Sequence, residues 1–411
     1  LFSFALVCFT NRFINLQFTM ISTETAAQLI AEYGSPLYVY EADRLRDTIA
    51  QITSAVPYPR TRFFFASVVN GNVALLRIFR ECGWGLHANT PGDVFLGLHA
   101  SFAPEQIVYS GSNLGRAEMA ELLERRIGTL NLDSLSQLEL LCEIRSAHWH
   151  STFSPRLGFR LNLPEITGES RIGVSVAEVR EAVKIAARAG LEVSGIHFYR
   201  GTGTNATEAF TESIATVLAV GSSLPDWQYL DFGGGFGYPY RAGEAGFDWP
   251  QFGAELSRQL NELTRPVKLF IEPGRAAIAG CGTLLATVVS VKWQGEKQLI
   301  GVDTSIASIA VISVHGGYRE IRAVKNHDAQ LHPTDVCGNT TYSRDYLGRG
   351  CRLPALEPGD VIAILDAGAY GYAMSSHFLH RPRPAEVLIE QGRHRLIRRR
   401  EGYEALLEHQ V

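Results

Sequence analysis

Lysine is scarce in this chain: Lys184, Lys268, Lys292, Lys297 and Lys325 are the only five among 38 basic residues in 411. Against 42 acidic residues the formal net charge is −4, so the composition offers no basic surface of the kind that nucleic acid or an anionic membrane requires. The one basic run, Arg398-Arg399-Arg400, reads as a solvated strand end. Six cysteines without a C-x-x-C spacing exclude a zinc ribbon and a dithiol redox site, and fit a reduced, cytoplasmic setting. No long apolar run spans a bilayer. Residues 1–19 are apolar but lack a basic n-region and are interrupted by Asn11-Arg12. They read as a mis-started or non-native leader rather than a signal peptide, with Met20 opening the native sequence and the sequons at Asn205 and Asn339 chance matches.

What the chain does have is rhythm. A helix over Thr23–Glu32 ends at Gly34-Ser35-Pro36, and Leu37–Tyr40 reads as a strand followed by a helix from about Ala42 to Ala55. Short apolar strands then alternate with amphipathic helices. The strands are expected at Arg62–Val68, Gly83–Asn89, Ile107–Ser112, Gly128–Asp133, Arg156–Asn162, Val193–Tyr199, Trp227–Gly233 and Lys268–Glu272. Helices between them include Val73–Glu81, Ala117–Arg126, Leu135–Ser146, Val176–Ala189, Ala206–Val220 and Gln251–Leu263. Eight such units predict a (β/α)8 barrel; an open doubly wound sheet is the rival. Polar residues at the C-terminal ends of nearly all the strands favour the barrel, where they collect at one mouth. Beyond Gly280 helices nearly vanish, and Leu284–Trp293, Gln298–Asp303, Ile309–Val314, Glu320–Val324, Val361–Asp366, Ala385–Glu390 and His394–Arg398 read as strands. The division expected is residues 20–45 joining a β domain, 46–280 the barrel, and 281–411 the C-terminal β domain.

Two strand ends carry the chemistry. Asp231-Phe232 runs into Gly233, Gly234 and Gly235, which strip side chains from a strand end so that backbone N–H groups can close on an anion. Forty residues on, the strand Lys268–Ile271 ends in Glu272-Pro273-Gly274-Arg275, one fixed negative and one fixed positive charge. Taken singly, the glycines could be a tight turn, Glu272 and Arg275 a structural ion pair, and Tyr370 an ordinary core aromatic.

Taken in order, the motifs Gly195-Ile-His-Phe-Tyr-Arg-Gly-Thr, Asp231-Phe-Gly-Gly-Gly-Phe, Glu272-Pro-Gly-Arg, Asp366-Ala-Gly-Ala-Tyr-Gly-Tyr-Ala-Met-Ser-Ser and Arg381-Pro-Arg-Pro-Ala-Glu-Val make the chain resemble the fold-type III pyridoxal-phosphate decarboxylases. These comprise the diaminopimelate, ornithine and arginine decarboxylases, and the diaminopimelate branch is nearest. The resemblance implies an alanine-racemase-like TIM barrel with a β domain, pyridoxal 5'-phosphate as cofactor, an amino acid substrate and a homodimer with shared sites. Position by position, it implies that Gly233, Gly234, Gly235, Gly274 and Arg275 hold the phosphate, with Tyr370 assisting from the same or the partner subunit. Glu272 would pair with the pyridine nitrogen and Tyr199 would stand at the ring-stacking position. Tyr342, Asp345 and His315 would lie at the substrate end.

The chain also departs from that pattern. Phe65-Ala66-Ser67-Val68-Val69-Asn70 places Val68 where the family has the lysine that carries the cofactor covalently. Gly338-Asn339-Thr340-Thr341-Tyr342 places Thr341 where the family has a proton-donating cysteine, and a hydroxyl is a far weaker acid than a thiol. His87 replaces an aspartate, and Val311 and His315 replace an arginine and a tyrosine. No catalytic residue is therefore secure. The expectation is a decarboxylase-like protein with impaired or altered chemistry; the alternative is a non-catalytic cofactor- or partner-binding relative, as the antizyme inhibitors are to ornithine decarboxylase.

Overall fold

A computed structural model describes residues 21–148, 153–325 and 329–411, so the leader over residues 1–19 lies outside the described residues. Strand β1 (Leu37–Glu41) precedes eight parallel strands: β2 (Thr61–Ala66), β3 (Gly85–Ala88), β4 (Ile107–Tyr109), β5 (Thr129–Leu132), β6 (Arg156–Arg160), β7 (Val193–His197), β8 (Tyr229–Asp231) and β9 (Lys268–Ile271). They form a closed barrel, because β2 pairs with β9 (Phe63 opposite Ile271) as well as with β3. Closure excludes the open sheet. Strands β3, β4, β5, β7 and β8 are buried throughout, as parallel strands covered on both faces must be.

The barrel interior is filled by side chains. Phe64, Val108, Tyr229 and Phe270 make one cluster. Tyr229 fits only because two neighbouring strands carry glycine: a Cβ at Gly195 would meet the Tyr229 ring at 1.9 Å, and one at Gly158 its hydroxyl at 2.2 Å. The same hydroxyl donates to Asn131 Oδ1 at 2.7 Å, and Asn131 Nδ2 donates to Asp231 Oδ2 at 2.9 Å. The apolar filling thus passes directly into a polar layer at the mouth.

Several local features differ from the sequence-based expectation. The first barrel strand ends at Ala66, and Ser67–Val69 forms a 3-10 turn instead of continuing to Val68. Ser67 Oγ holds the turn through His87 O at 3.0 Å and Asp93 Oδ1 at 2.9 Å. An unanticipated helix, Pro91–His99, follows β3. Its start was legible: Thr90 and Asp93 form a reciprocal capping box with Pro91 in the first turn.

The second domain is a nine-stranded sheet built from β1, β10 (Gly282–Gln294), β11 (Lys297–Val302), β12 (Ile321–Ala323), β13 (Leu331–Cys337), β14 (Tyr346–Pro354), β15 (Val361–Ile364), β16 (Ala385–Glu390) and β17 (Arg393–Arg398). Strand β1 lies centrally, antiparallel to β10 and parallel to β16. The strand expected at Ile309–Val314 is instead a helical turn, Val311–His315, with Val314 N bonded back to Ala310 O at 2.9 Å and Gly316 in the left-handed region. The β-branched residues suggested a strand, while Gly316-Gly317 carried the competing helix-stop signal. The pair β13 and β14 was missed, because Pro333 and scattered charges hide the alternation of an outer hairpin.

Candidate active site at the barrel mouth

The C-terminal ends of the barrel strands enclose a cavity of about 350 Å³. Glu272, from the end of β9, lies at its floor and is 2 % exposed. Gly234 and Gly235 form one wall with Tyr199, since a Cβ at Gly235 would lie 3.5 Å from that ring. Arg160, with Arg275 and Tyr370 at the rim and Val68 at an edge, completes the lining.

The glycine loop is shaped by approach to backbone. Gly233 and Gly235 adopt φ +64 and +97, and a Cβ at Gly235 would lie 2.1 Å from Gly201 O. The loop does not offer three free donors, however. Gly233 N donates to Asp231 Oδ1 at 3.0 Å, whereas the N–H groups of Gly234 and Gly235 have no partner among the described residues. Arg275 faces the same space. Its guanidinium lies 5.0 Å from the Tyr370 ring centroid and 5.8 Å from that of Tyr240, and no carboxylate among the described residues pairs with it. Glu272 and Arg275 are therefore not the ion pair that a structural reading would have made them.

Tyr370 reaches this rim within the same chain: its N–H donates to Val69 O at 2.9 Å and its backbone takes φ +58. Of the two origins the sequence left open, Tyr370 lines the cavity of its own chain, carried there by a positive-φ turn after β15. Tyr199 stacks under Arg160, with the guanidinium carbon 4.9 Å from the ring centroid, and its hydroxyl lies 3.1 Å from Thr202 Oγ1. Gly274 lies along the Val68 edge, where a Cβ would meet Val69 Cγ1 at 2.9 Å.

Sequence reasoning assigned no role to His197, Asp231 or Arg160, yet they surround Glu272. His197 Nε2 is 3.3 Å from Glu272 Oε2, and His87 Nε2 is 3.4 Å from Glu272 Oε1. Burial pushes Glu272 up to about 7, while Asp231 and Arg160 pull the other way. Burial, then the neighbouring Glu272, raises Asp231 well above the carboxylate range. Burial also lowers both imidazoles, His197 to about 4. Burial thus favours the neutral forms of both carboxyl groups and both imidazoles at the floor. The signals available in sequence were that His197, Asp231 and Arg160 each end a barrel strand and that His197 and Asp231 lie inside the ordered motifs.

This arrangement has a measurable consequence. Glu272 binds a proton more tightly folded than unfolded, so its contribution to stability is full below about pH 4.5 and is lost as pH rises through about 7. In chelator-containing buffer, Glu272→Gln is expected to raise the thermal midpoint relative to wild type at pH 8 and to change it little at pH 4.5. Equal shifts at both values would contradict this account.

Val68 sits on the 3-10 turn with 45 % of its surface exposed. None of the five lysines lines the cavity; Lys268 stands at the opposite end of β9. His315 lines an adjoining cavity of about 610 Å³ with Arg319, Tyr240 and Tyr370. The loop bearing Thr341, Tyr342 and Asp345 does not line either cavity in its own chain. Asp345 is buried and braces that loop, accepting from Ile306 N at 3.0 Å and Thr340 N at 3.2 Å, whereas Tyr342 is exposed against Phe378. A larger cavity of about 730 Å³, lined by residues of the helices Ala42–Ala55 and Trp249–Asn261 among others, contains no acid or imidazole.

The mouth suits pyridoxal phosphate in part. Two free backbone donors and Arg275 fit a phosphate, and Glu272 Oε1, buried without a hydrogen-bond partner, fits a pyridine nitrogen. Nothing present fits the aldehyde. Barrel, β domain and this mouth define the class of fold-type III pyridoxal-phosphate proteins. The family described as "Pyridoxal-dependent decarboxylase, pyridoxal binding domain" matches residues 42–279. The chain belongs to that family, and pyridoxal phosphate is the cofactor that membership implies. It is 33 % identical over 409 residues to the diaminopimelate decarboxylase of Methanothermobacter thermautotrophicus, covering 95 % of each chain. It is 30 % identical to that of Escherichia coli K12, covering 95 % of this chain and 97 % of the relative. The crystal structure of Helicobacter pylori diaminopimelate decarboxylase complexed with L-lysine superposes with a TM-score of 0.86 at 27 % identity, covering 93 % of this chain and 98 % of that one.

Proposed function

We propose that this chain is a diaminopimelate-decarboxylase-like protein that holds pyridoxal phosphate without a covalent bond and in which decarboxylation of diamino acids is lost or severely impaired. The supporting observation is Val68, half-exposed at the cavity edge with no lysine lining the site. When bound, the cofactor supplies an electron sink for a carbanion. The chain's own residues bind and orient: Gly234, Gly235 and Arg275 take the phosphate, Tyr370 and Tyr199 border the ring, and Glu272 meets its nitrogen. No group here holds the aldehyde, and Thr341 cannot replace a thiol as proton donor near neutral pH.

A second reading, a non-catalytic binding protein of the antizyme-inhibitor kind, draws support from the same contrast: the binding groups remain and both reactive groups are gone. Purified chain with excess pyridoxal phosphate, offered diaminopimelate, ornithine, lysine and arginine, is expected to release no carbon dioxide beyond that of free cofactor. Protein-dependent turnover would overturn the proposal.

We further assign a homodimer, in which the Gly338–Asp345 loop faces the partner's mouth. That loop stands away from its own cavities and leaves Tyr342 and Phe378 exposed as a ring pair 5.7 Å apart. Light scattering is expected to give twice the chain mass, and Tyr342→Asp with Phe378→Asp to shift it toward the monomer. The free thiols Cys82, Cys142, Cys281, Cys337 and Cys351 suit a cytosolic setting. No helix of the described residues is long and apolar enough to cross a membrane.

A further inference from the structure

We propose that Arg319 reads the far end of the ligand, so that the cavity adjoining the mouth takes an amino acid ending in a carboxylate and leaves a distal amine unread. The inference deepens the proposed function and rests on its placement of the cofactor at the mouth.

Arg319 is 3 % exposed and lines the adjoining cavity beside Arg275, Tyr240 and Tyr370. A guanidinium buried without a counter-charge is costly, because the water that would solvate it has been removed. No carboxylate among the described residues pairs with it. The buried neighbour Asp366 accepts instead from the Tyr238 hydroxyl at 2.8 Å. Glu244, the carboxylate in the cavity lining, is exposed and accepts from Arg241 N at 3.2 Å. Burial lowers the pKa of Arg319, and the nearby Arg275 guanidinium adds to that; a bound anion would oppose both.

The way the side chain is held leaves one edge open. Its Nη1 donates to Tyr318 O at 2.7 Å, and its guanidinium carbon lies 3.8 Å from the Tyr240 ring centroid, which fixes the plane. Nε and Nη2 are buried without a hydrogen-bond partner. Their N–H groups lie side by side on one edge of the guanidinium, the edge that meets both oxygens of a carboxylate. Arg275 stands 5.8 Å from the same Tyr240 ring, and the proposed function commits it to the cofactor phosphate. One cation of this cavity is therefore left for a second anion.

A distal ammonium finds no equivalent partner. Apart from the exposed Glu244, the polar lining is neutral or cationic, with Thr202, Thr204, Asn205 and His315 beside the two arginines. The 338–345 loop, assigned above to the subunit interface, carries one acid, Asp345, which already accepts from Ile306 N and Thr340 N.

Phosphopyridoxyl amino acids, made by borohydride reduction of pyridoxal phosphate condensed with each amino acid, test the assignment, with dissociation constants read by quenching of intrinsic fluorescence. The aspartate, glutamate and 2-aminoadipate conjugates vary the reach of the carboxylate, and the norleucine and lysine conjugates lack it. The best acidic conjugate is expected to bind at least about tenfold more tightly than the norleucine conjugate, as a charge-assisted pair does over a neutral group, with lysine weakest. In Arg319→Gln the acid-over-norleucine ratio should fall below about twofold. Equal binding of the acidic and norleucine conjugates, or an unchanged ratio in Arg319→Gln, would overturn the assignment. Should Arg319→Gln fail to fold, the order of affinities on the unaltered chain decides. Phosphopyridoxamine, which has no amino acid part, checks the cofactor reading separately. If it does not bind, thermal shift decides: a midpoint raised by glutarate and not by 1,5-diaminopentane supports Arg319, and no response to glutarate overturns it.

Discussion

Val68→Lys combined with Thr341→Cys is expected to convert the chain from one that yields no borohydride-trapped cofactor to one that yields a stoichiometric adduct on residue 68, with carbon dioxide released from a diamino acid. The 3-10 turn presents position 68 at the cavity edge, half-exposed, so a longer side chain there meets open space instead of packed core. A lysine there would put an amine at the edge of the cavity, where an aldehyde held by the phosphate and ring contacts can be reached. Val68→Lys alone is expected to give the trapped adduct with slow turnover. Adding Thr341→Cys is expected to raise turnover by about 10²–10⁴-fold, the usual contribution of a placed general acid. Thr341→Cys alone should change nothing. Peptide mass mapping after reduction locates the adduct. A folded Val68→Lys chain that binds cofactor yet traps none would show that the mouth has diverged beyond its missing amine.

Phe210→Ala is expected to cost about 3–5 kcal/mol of barrel stability, the range for truncating a fully buried phenylalanine. Phe210 is 0 % exposed, and its ring lies 4.9 Å from Phe236, 5.0 Å from Phe247 and 5.9 Å from Phe252 by centroid. The cluster also backs the glycine wall, because Phe236 directly follows Gly235. Weaker pyridoxal phosphate binding should therefore accompany the loss, read by quenching of intrinsic fluorescence. In urea the midpoint of the barrel's transition should fall, while Phe210→Leu, which keeps most of the volume, should fall less. An unchanged midpoint in Phe210→Ala would mean that these rings do not form the packed support described here.

Parallel strands buried on both faces, separated by amphipathic helices, announce themselves as short apolar runs at regular spacing, so the barrel was legible before any coordinates. So was the absent amine, because whether a residue can bond an aldehyde depends on its identity alone, and valine has no nitrogen. Local rules were weaker where two signals competed: the β-branched run at Ile309–Val314 reads as strand, but Gly316 and the back-bonding of Val314 make a helical turn. What the linear order could not reveal is the floor of the mouth. His87, His197, Asp231 and Glu272 end or adjoin four different strands, and only closure of the barrel brings them within hydrogen-bond range. The same closure diverts the Gly233 N–H to Asp231 and leaves Arg275 facing open cavity without a carboxylate. Side-chain identity thus determined which chemistry the chain lacks, and tertiary packing decided which charges and lone pairs remain unmatched for a ligand.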